Sequence, residues 1–358
     1  MKKQKITIKH IARVMGVTPA TISKALRDSS DIALETRQRV KQLAEELGYQ
    51  PSLMARSLVS QKSNLLGVLV PDLRISFFSQ IVRGMYKSAR NFGYETIIMV
   101  NDESSENEKR NLDFLNAMHV DGILINAVPG KENNGLIQKL MDQGVAIVAY
   151  DRTIDGMNVS SVTIDDESAA FQVMEYFIRN NRKHILFLGP VRTLSVARGR
   201  YRGYRKGLEK YQIAYDGNLV VPCEVDDVDA WAKMRQKLRE VPHIDAVMCV
   251  GGLIAYGAGR AIIQSDRSIP EDVMLAEFGD NSVVHRLGVP FVTIDQSPYE
   301  MGCQSIELIV ETIENKIRQQ PYKKKVIDIR LIEYLKAHWY SLAGEVDSHL
   351  ITCNQEAL

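Results

Sequence analysis

The glycines between positions 250 and 259 are the first residues whose spacing suggests chemistry. The stretch VGGLIAYGAG follows the apolar run DAVMC and precedes RAIIQS, which is typical of a strand that turns into a helix. A helix start of this kind offers free backbone N–H groups to a phosphate. The spacing does not match a nucleotide site, because positions 251–259 read G-G-x-x-x-x-G-x-G and no Walker lysine follows. Gly257 and Gly259 are therefore expected to allow close packing of this helix against a sheet.

Other catalytic signals are missing from the sequence. We find no grouping of a nucleophile, a base and an orienting residue, and no spacing typical of a metal site. The four cysteines lack a C-x-x-C pair and a histidine at ligand spacing; they are Cys223, Cys249, Cys303 and Cys353. We therefore expect a protein that is not an enzyme, with inert thiols and with no metal or cofactor.

Charge divides the 358-residue chain into two unequal parts. Residues 1–63, the basic head, carry 12 Lys and Arg against 5 Asp and Glu, whereas the remainder carries 33 against 39. A basic head indicates a polyanion partner for that part alone, with a solvated basic face as the alternative. The first residues lack an apolar signal core, and no stretch approaches the roughly 18 apolar residues of a membrane span. We expect a cytoplasmic protein with no membrane contact.

The head contains two short helical patterns joined at Gly16. Thr7 and Thr18 are candidate caps for the two helices, and Pro19 takes the favoured first position of the second. The apolar residues fall on inward faces: Ile8, Ile11, Ala12, Met15, Ile22 and Leu26. The outward face of the second helix carries Pro19, Ala20, Ser23 and Lys24. This pattern predicts a helix-turn-helix, although a helical hairpin inside any helical domain is the alternative.

A third helix and a series of strands complete the pattern. LETRQRVKQLAEELG places Val40, Leu43, Ala44 and Leu47 on one face and ends at Gly48. From Asn64 onward, continuous apolar runs alternate with helical stretches: LLGVLVPD, ETIIMVND, DGILIN, AIVAYD, HILFLGP, DAVMCVG and VMLAEFGD. Runs buried on both faces and separated by helices indicate parallel sheets covered by helices. Ligands in such folds bind beyond the carboxyl ends of the strands.

The run from Ile6 to Leu58 resembles, without a gap, the DNA-binding head of the LacI/GalR (lactose-repressor) family. Later stretches occur in the family's order, among them VPDLRISFFSQIVRGM, VDGILI, VAYDR, IPEDVMLAEFGDN and VTIDQSPYEMGCQSIELI. The resemblance implies an N-terminal all-α helix-turn-helix head plus an α/β periplasmic-binding-protein-like (type I) core. That core has two doubly wound parallel-sheet subdomains with a small effector between them.

The resemblance also implies domain boundaries. The helix-turn-helix domain takes residues 1–50, and the hinge helix with its linker takes 51–63. One core subdomain comprises 64–163 and 295–320, and the other comprises 164–294 and 321–333. The tail, 334–358, lacks leucine heptads, so a tetramerising coiled coil is not expected and we predict a homodimer.

Roles in DNA binding carry over residue by residue. Pro19, Ala20 and Lys24 would read base edges, while Thr7, Thr18, Thr21 and Ser23 would bond phosphates or the turn. The hinge helix would begin at Ser52, pack through Ala55 on its symmetry mate and insert Leu58 into the minor groove; ordinary core is the alternative for Leu58. Two departures stand out, since His10 replaces a usual aspartate and Ala33 replaces a serine that often caps the third helix.

Effector contacts carry over to the loops of the core. Phe77 and Phe78 match an aromatic pair, and either Arg198 or Arg200 matches the effector-binding arginine, with a surface arginine as the alternative for each. Asp151 fits a hinge or pocket carboxylate, or else a solvated loop residue. The remaining candidates lie at loop ends facing the cleft: Asp72, Gly251, Gly279, Asp280 and Gln296.

The resemblance also makes the glycine turn informative about the charge of the effector. Relatives that bind neutral sugars commonly carry Asn-Asp at the position of Gly251 and Gly252, and an aspartate at that of Gly279. Fewer acidic groups and retained arginines, with Arg74 and Arg192 nearby, favour a negative ligand. We therefore expect a sugar acid or sugar phosphate, while Asp280 or Asn281 could instead restore a hydroxyl contact.

The sequence as a whole predicts a sequence-specific transcription regulator. We expect a repressor of a carbohydrate-utilisation operon that binds a pseudo-palindromic double-stranded operator and responds to the effector. The alternative is a solute-binding protein with the same core fold, against which the basic head and the missing signal peptide argue.

Overall fold

The structure, a computed structural model, describes residues 6–49, 62–279, 281–315 and 322–334. Contacts divide the chain into two compact units, Met1–Ser63 and Asn64–Leu358, the second of which is called the core below. No helix within the described ranges is long and apolar enough to cross a membrane. Several expectations fall outside these ranges, namely those on Ser52, Ala55, Leu58, Asp280 and the tail from Leu335 onward.

The head is a bundle of three described helices, as the sequence predicts. They are α1 (Ile8–Met15), α2 (Pro19–Leu26) and α3 (Leu34–Glu46). Their buried faces form a small hydrophobic cluster of Ile11, Ala12, Ile22, Ala25, Val40 and Ala44. The turn between α1 and α2 uses Gly16 in the left-handed conformation, at φ 67°. The helical periodicity of the sequence therefore gave the correct inward faces.

The three helix starts differ in how their backbone donors are satisfied. The Thr18 hydroxyl accepts a hydrogen bond from the Thr21 backbone N–H at 3.2 Å, as expected of a cap. Thr7 stands at the start of α1 without such a bond, and Ala33 has no side chain that could form one at the start of α3. Thr18 is thus a cap as expected, whereas Thr7 occupies the N-cap position of α1 without the capping hydrogen bond.

The core consists of two lobes, each built on a six-stranded sheet. The first sheet has the strand order β11-β5-β4-β3-β1-β2 and the second has the order β12-β10-β9-β8-β6-β7. All pairings are parallel except that of β12 with β10. The strands of the first sheet are β1 (Leu65–Val70), β2 (Glu95–Val100), β3 (Gly122–Ile125), β4 (Ala146–Tyr150), β5 (Ser160–Thr163) and β11 (Lys324–Val326). Those of the second are β6 (Ile185–Leu188), β7 (Val220–Val221), β8 (Ala246–Cys249), β9 (Met274–Phe278), β10 (Phe291–Asp295) and β12 (Arg330–Tyr334).

Helices cover both sheets. The described helices of the core are α4 (Ser76–Asn91), α5 (Ser105–Ala117), α6 (Asn134–Asp142), α7 (Asp166–Arg179), α8 (Ser195–Lys210), α9 (Asp227–Glu240), α10 (Gly252–Ile263), α11 (Asn281–Val284) and α12 (Pro298–Asn315). In the first lobe α12 packs on α4, and in the second α7 packs on α8 and α9 on α10. All seven apolar runs of the sequence are strands, and six of them are almost fully buried. The expectation of burial on both faces is wrong for β2, because it is an edge strand with no buried residue.

The chain crosses between the lobes three times, and the third crossing corrects the sequence expectation. It leaves the first sheet after Thr163 and returns after Asp295. Residues 321–333 were expected to lie wholly in the second subdomain, but Lys324–Val326 pairs in parallel with β5 in the first sheet. The final crossing therefore falls at residues 327–329. An apolar run alone cannot say which of two sheet edges it extends.

The helical glycines of the opening motif also differ from expectation. A Cβ on Gly257 would lie 2.2 Å from the Asp227 backbone oxygen, so this glycine allows α10 to approach α9 rather than the sheet. A Cβ on Gly259 would meet Leu287 at 2.3 Å and Leu275 of β9 at 3.3 Å. Only the second of the two glycines thus contacts the sheet.

Candidate functional site

The outward face of α2 in the head is accessible and carries both apolar and polar residues. Pro19, Ala20 and Lys24 are exposed, and Thr21 and Ser23 are half-buried. Ile22 and Ala25, on the opposite face, are fully buried. The predicted recognition residues therefore share one face of a helix that the bundle holds rigidly from behind.

Lys24 already has a partner. Its ammonium donates to the Asp31 carboxylate at 2.5 Å, and both side chains are half exposed. The hydrogen bond from Lys24 lowers the pKa of the Asp31 carboxyl below its ordinary value. A contact from Lys24 to a base or a phosphate must therefore share the ammonium with Asp31 or replace that carboxylate.

The threonines of the head are engaged with their neighbours. The hydroxyls of Thr18 and Thr21 lie 3.0 Å apart. The Thr7 hydroxyl lies 3.1 Å from Nδ1 of His10, so His10 contacts the residue at the start of α1. These contacts lie at the starts of α1 and α2.

In the core, a cavity of about 640 Å³ including its open mouth lies between the lobes, beyond the carboxyl ends of their strands. Six of the expected effector residues line it: Phe77, Phe78, Asp151, Arg200, Gly251 and Gln296. Its walls are otherwise mostly apolar, formed by Ile75, Leu194, Val196, Val225, Val250, Leu253, Ile254 and Phe278. Parallel topology thus brings together loops that are far apart in sequence.

Arg200 is the arginine that faces the cleft. Its Nε donates to Asp166 at 2.8 Å, Nη1 donates to the Val250 backbone oxygen at 2.5 Å, and Nη2 donates to Gln296 at 3.4 Å. The guanidinium carbon lies 4.3 Å from the centre of the Phe278 ring. The guanidinium is therefore fixed in orientation before any ligand enters.

Asp166 was not recognised from the sequence, yet it is the ionic partner of Arg200. Burial raises the pKa of the Asp166 carboxyl to about 6, against the opposing attraction of Arg200. The Asp166–Arg200 pair therefore changes charge within about a pH unit of neutrality.

A second charged group lines the first-lobe side of the cleft. Asp151 is buried and accepts a hydrogen bond from Asn126 at 2.9 Å, and burial raises the pKa of its carboxyl. The neighbouring Arg152 donates twice to Glu103, at 2.8 Å each, and its Nε lies 3.8 Å from Asp151. The sequence reasoning missed Arg152 and Glu103. Their position directly after β4 and β2 was the available signal, since the carboxyl ends of parallel strands share one edge.

Three of the expected cleft cations and one carboxylate lie elsewhere. Asp72 is bound by Arg74 within its own loop, with Nη2 to Oδ2 at 2.8 Å, and neither lines the cavity. Arg198 donates to Asp155 at 2.5 Å, an ion pair that joins the second lobe to the first. Arg192 lines a different pocket. The expected surplus of positive charge is absent, because Arg152 and Arg200 are the guanidiniums lining the described cavity and each is paired with a carboxylate.

Gly251 and Gly279, which were expected to replace sugar-binding side chains, differ in backbone conformation and in the space around them. Gly251 has an extended backbone, at φ −171°, and a Cβ there would meet nothing within 4 Å. Gly279 has φ 83°, and a Cβ there would lie 2.2 Å from Nε2 of Gln296 and 3.1 Å from the Phe77 ring. Gly279 does not line the cavity but lets Gln296 and Phe77 do so. Gly251 leaves space that a larger side chain could fill.

The described residues contain no group of three or more His, Cys, Asp and Glu side chains that could hold a metal ion. Cys223 and Cys249 are buried, and burial raises the pKa of both thiols, that of Cys223 to about 12. The described thiols with raised pKa are therefore protonated at neutral pH.

Comparisons with known proteins agree with this architecture. The family model for bacterial regulatory proteins of the lacI family matches residues 7–52, and that for a periplasmic binding protein domain matches 66–317. The ribose operon repressor of Halalkalibacterium halodurans is 28% identical over 312 residues, which is 87% of this chain and 91% of that protein. The regulator RegA of Clostridium saccharobutylicum is 29% identical over 329 residues, which is 91% of this chain and 98% of that protein.

Solved structures show the same fold. A lac repressor dimer bound to operator and an anti-inducer superposes with a TM-score of 0.80 at 22% identity, covering 92% of this chain and 98% of that one. A CelR–cellobiose complex gives a TM-score of 0.69 at 24% identity, covering 91% and 98%. The chain therefore belongs to the LacI family of bacterial regulatory proteins and is a DNA-binding transcription regulator.

Proposed function

We propose that the chain represses a carbohydrate-utilisation operon as a cytoplasmic homodimer whose DNA binding is controlled by a small effector in the cleft. One observation carries this proposal: the same chain has a helix-turn-helix with an exposed face on its second helix and a cavity lined by two lobes. A relative named as a ribose operon repressor and a structural neighbour holding cellobiose support a carbohydrate effector. The proposal assigns no catalysis to the chain.

DNA contact is proposed for the face of α2 and for the segment that follows α3. Pro19, Ala20 and Lys24 would face base edges, and Thr7, Thr18, Thr21 and Ser23 would bond phosphates or order the turn. Lys24 lacks the planar fork of an arginine, so it should discriminate bases weakly. Much of the specificity would then come from bending of the site, with Leu58 as a wedge in the minor groove beside Ser52 and Ala55.

Control by the effector follows from the two-sided lining of the cleft. Phe77 and Asp151 come from the first lobe, whereas Arg200 and Leu253 come from the second. A ligand that contacts both lobes binds one relative orientation of them better than another, and it can shift their equilibrium by that difference in affinity. Because such coupling is reciprocal, operator DNA must change the affinity for the effector by the same factor.

For the effector itself we propose a sugar acid or a sugar phosphate. The Glu103 carboxylate occupies Arg152 with two hydrogen bonds, and its side chain is 44% exposed while that of Arg152 is 8% exposed. A ligand carboxylate or phosphate could take over this bidentate site, because Glu103 can turn out to solvent. The ring of the sugar would lie against Phe77, Phe78 and Phe278.

The regulator proposal is tested by a gel shift with a palindromic site across salt concentrations. Sequence-selective binding that weakens with salt and disappears when residues 1–63 are removed is the expected result. Binding without sequence preference, or binding that survives the deletion, contradicts it.

The effector proposal is tested by thermal shift with neutral hexoses, sugar acids and sugar phosphates. We expect the acids or phosphates to stabilise the core, and the Glu103→Gln variant to bind them more tightly. Glu106→Gln is the matched control, since Glu106 is an exposed residue of α5 that does not line the cavity. Stabilisation by neutral hexoses alone would show that the proposed preference of the cleft for acidic sugars is wrong.

A further inference from the structure

A second cavity lies beside the cleft, along the outer edge of the second sheet. This outer pocket has a volume of about 1340 Å³ including its open mouth. Six side chains define its chemistry: Arg192, Tyr201, Tyr215, Glu224, Asp229 and Lys233. Residues 190–193 follow β6 and residues 222–224 follow β7, so the pocket lies at strand ends where ligands commonly bind in α/β folds.

The outer pocket and the cleft share their dividing walls. Leu194 and Val225 face the cleft, while the residues immediately before them, Thr193 and Glu224, face the outer pocket. The two cavities are therefore neighbours, separated by two loops. The cleft side of these loops is apolar and the outer side is polar.

The charged groups of the outer pocket are not used by the fold. Within the described residues, the side chains of Arg192, Glu224 and Lys233 form no hydrogen bond or ion pair, and Asp229 accepts a single bond from the Glu224 backbone N–H. Other charged groups of this lobe are paired, for example Lys210 with Glu175 at 2.9 Å. Two cations and two carboxylates give the outer pocket no net charge, so it offers both donors and acceptors.

Two tyrosines form an aromatic wall with a fixed orientation. The hydroxyls of Tyr201 and Tyr215 lie 3.2 Å apart, and the Arg205 guanidinium stacks 4.1 Å from the centre of the Tyr215 ring. Tyr215 is nevertheless 46% exposed. A ring held in place with an accessible face loses little conformational entropy when a ligand stacks on it.

We propose that the outer pocket is a second binding site of the chain and that it takes a neutral sugar ring. Sugar hydroxyls both donate and accept, so they can satisfy Glu224 and Asp229 as well as Arg192 and Lys233. The apolar face of the ring would stack on Tyr215. The ring is either a free sugar or a second ring linked to the effector; the linked case rests on the effector site proposed for the cleft.

The test is ¹⁹F NMR of the full chain labelled with 3-fluorotyrosine, with the Tyr215 signal assigned through Tyr215→Phe. The probes are glucose, galactose, ribose, cellobiose, maltose and digalacturonate, and the binding stoichiometry is measured by calorimetry. We expect a saturable shift of Tyr215 with at least one probe and none of Tyr322, an exposed tyrosine distant in sequence near β11. A shift with a neutral monosaccharide, at one equivalent per chain because the cleft is proposed to take an acidic sugar, identifies a free sugar in the outer pocket. A shift with disaccharides alone, at one equivalent, identifies a linked ring.

Two variants of α9 make the test specific. Lys233→Met should weaken the response of Tyr215 at least tenfold, whereas Arg239→Met, an exposed change of the same charge on the same helix, should leave it within twofold. No saturable shift with any probe, or equal responses in the two variants, overturns the proposal. Since the readout needs no DNA, its failure is distinguishable from failure of the repressor function, which the gel shift measures.

Discussion

The recognition face of the head and the wall of the cleft hold their polar groups in opposite ways. In the head, Lys24 pairs with Asp31 seven residues away and both side chains are half exposed. In the cleft, Arg200 pairs with Asp166 across 34 positions and the two side chains are 5% and 12% exposed. Exposed local pairs contribute little to stability, whereas a buried pair becomes costly when one member is removed. Substitutions in the head should therefore change affinity, and those in the cleft should also change folding.

The largest expected effect is that of Arg200→Met. It leaves Asp166 and the Val250 carbonyl without their partner, so we expect the free energy of unfolding to fall by about 3–5 kcal/mol. The matched control is Arg202→Met on the same helix, because the Arg202 side chain is 62% exposed and pairs with Glu167 at 3.0 Å. That variant should lose about 0–1 kcal/mol. Urea unfolding followed by circular dichroism measures both changes. Similar losses of stability in the two variants would contradict the distinction between buried and exposed ion pairs.

A pH dependence of stability should come from Asp166. Its pKa is about 6 in the folded chain and has the ordinary value of 3.8 when exposed, so between these values the folded state keeps a proton that the unfolded state has released. The free energy of unfolding should therefore decrease as pH rises through this window, by about 3 kcal/mol from this group. Urea unfolding at several pH values should show a shallower decline for Asp166→Asn. If the unsubstituted chain and Asp166→Asn lose stability equally as pH rises, Asp166 is not the group responsible.

The two cleft glycines form a matched pair for substitution. Gly279→Asp requires a left-handed backbone and crowds Gln296, so it should cost about 1–3 kcal/mol of stability. Gly251→Asn places its side chain in open space on extended backbone and should leave stability almost unchanged. Because the new amide faces the cavity, Gly251→Asn should also improve binding of neutral sugars in calorimetry. Equal melting temperatures for the two variants would show that Gln296 moves aside without cost.

Substitutions at the helix caps of the head should change its stability by less, raising it in one variant and lowering it in the other. Ala33→Ser supplies the missing acceptor at the start of α3 and should raise the stability of the head by about 1 kcal/mol. Thr18→Ala removes an existing cap and should lower it by a similar amount. Thermal unfolding of a fragment of residues 1–63 measures both changes. A loss of stability in Ala33→Ser would mean that the N-cap geometry at residue 33 excludes the bond.

The smallest expected effect on folding is that of Asp31→Asn. It frees Lys24 and removes a negative charge near the recognition face, so operator DNA and unrelated DNA should both bind several-fold more tightly at low salt. Stability should not change measurably, since the pair is exposed. Gel shifts with both DNAs and a melting curve check these outcomes. Glu35→Gln, an exposed change of the same charge at the start of α3, serves as the control.

The sequence was most informative where contacts are local. The faces of α1, α2 and α3 followed from helical periodicity, and seven strands followed from continuous apolar runs. It was less informative about side chains that meet across the fold. Asp72 and Arg198 were expected in the cleft, but each is held by another partner, Arg74 and Asp155 respectively. Arg152 and Glu103, which do line the cavity, carried no signal beyond their place after two strands.

By itself, then, the sequence determined the helix-turn-helix, the alternation of strands and helices and the family, because short-range periodicity and ungapped motifs encode them. The tertiary structure decided which arginine faces the cleft, which carboxylates neutralise it, and which sheet β11 extends. These depend on segments tens of residues apart that parallel strands bring to one edge. It also decided the meaning of VGGLIAYGAG: Gly251 leaves open space in a cavity wall, whereas Gly257 lets one helix approach another.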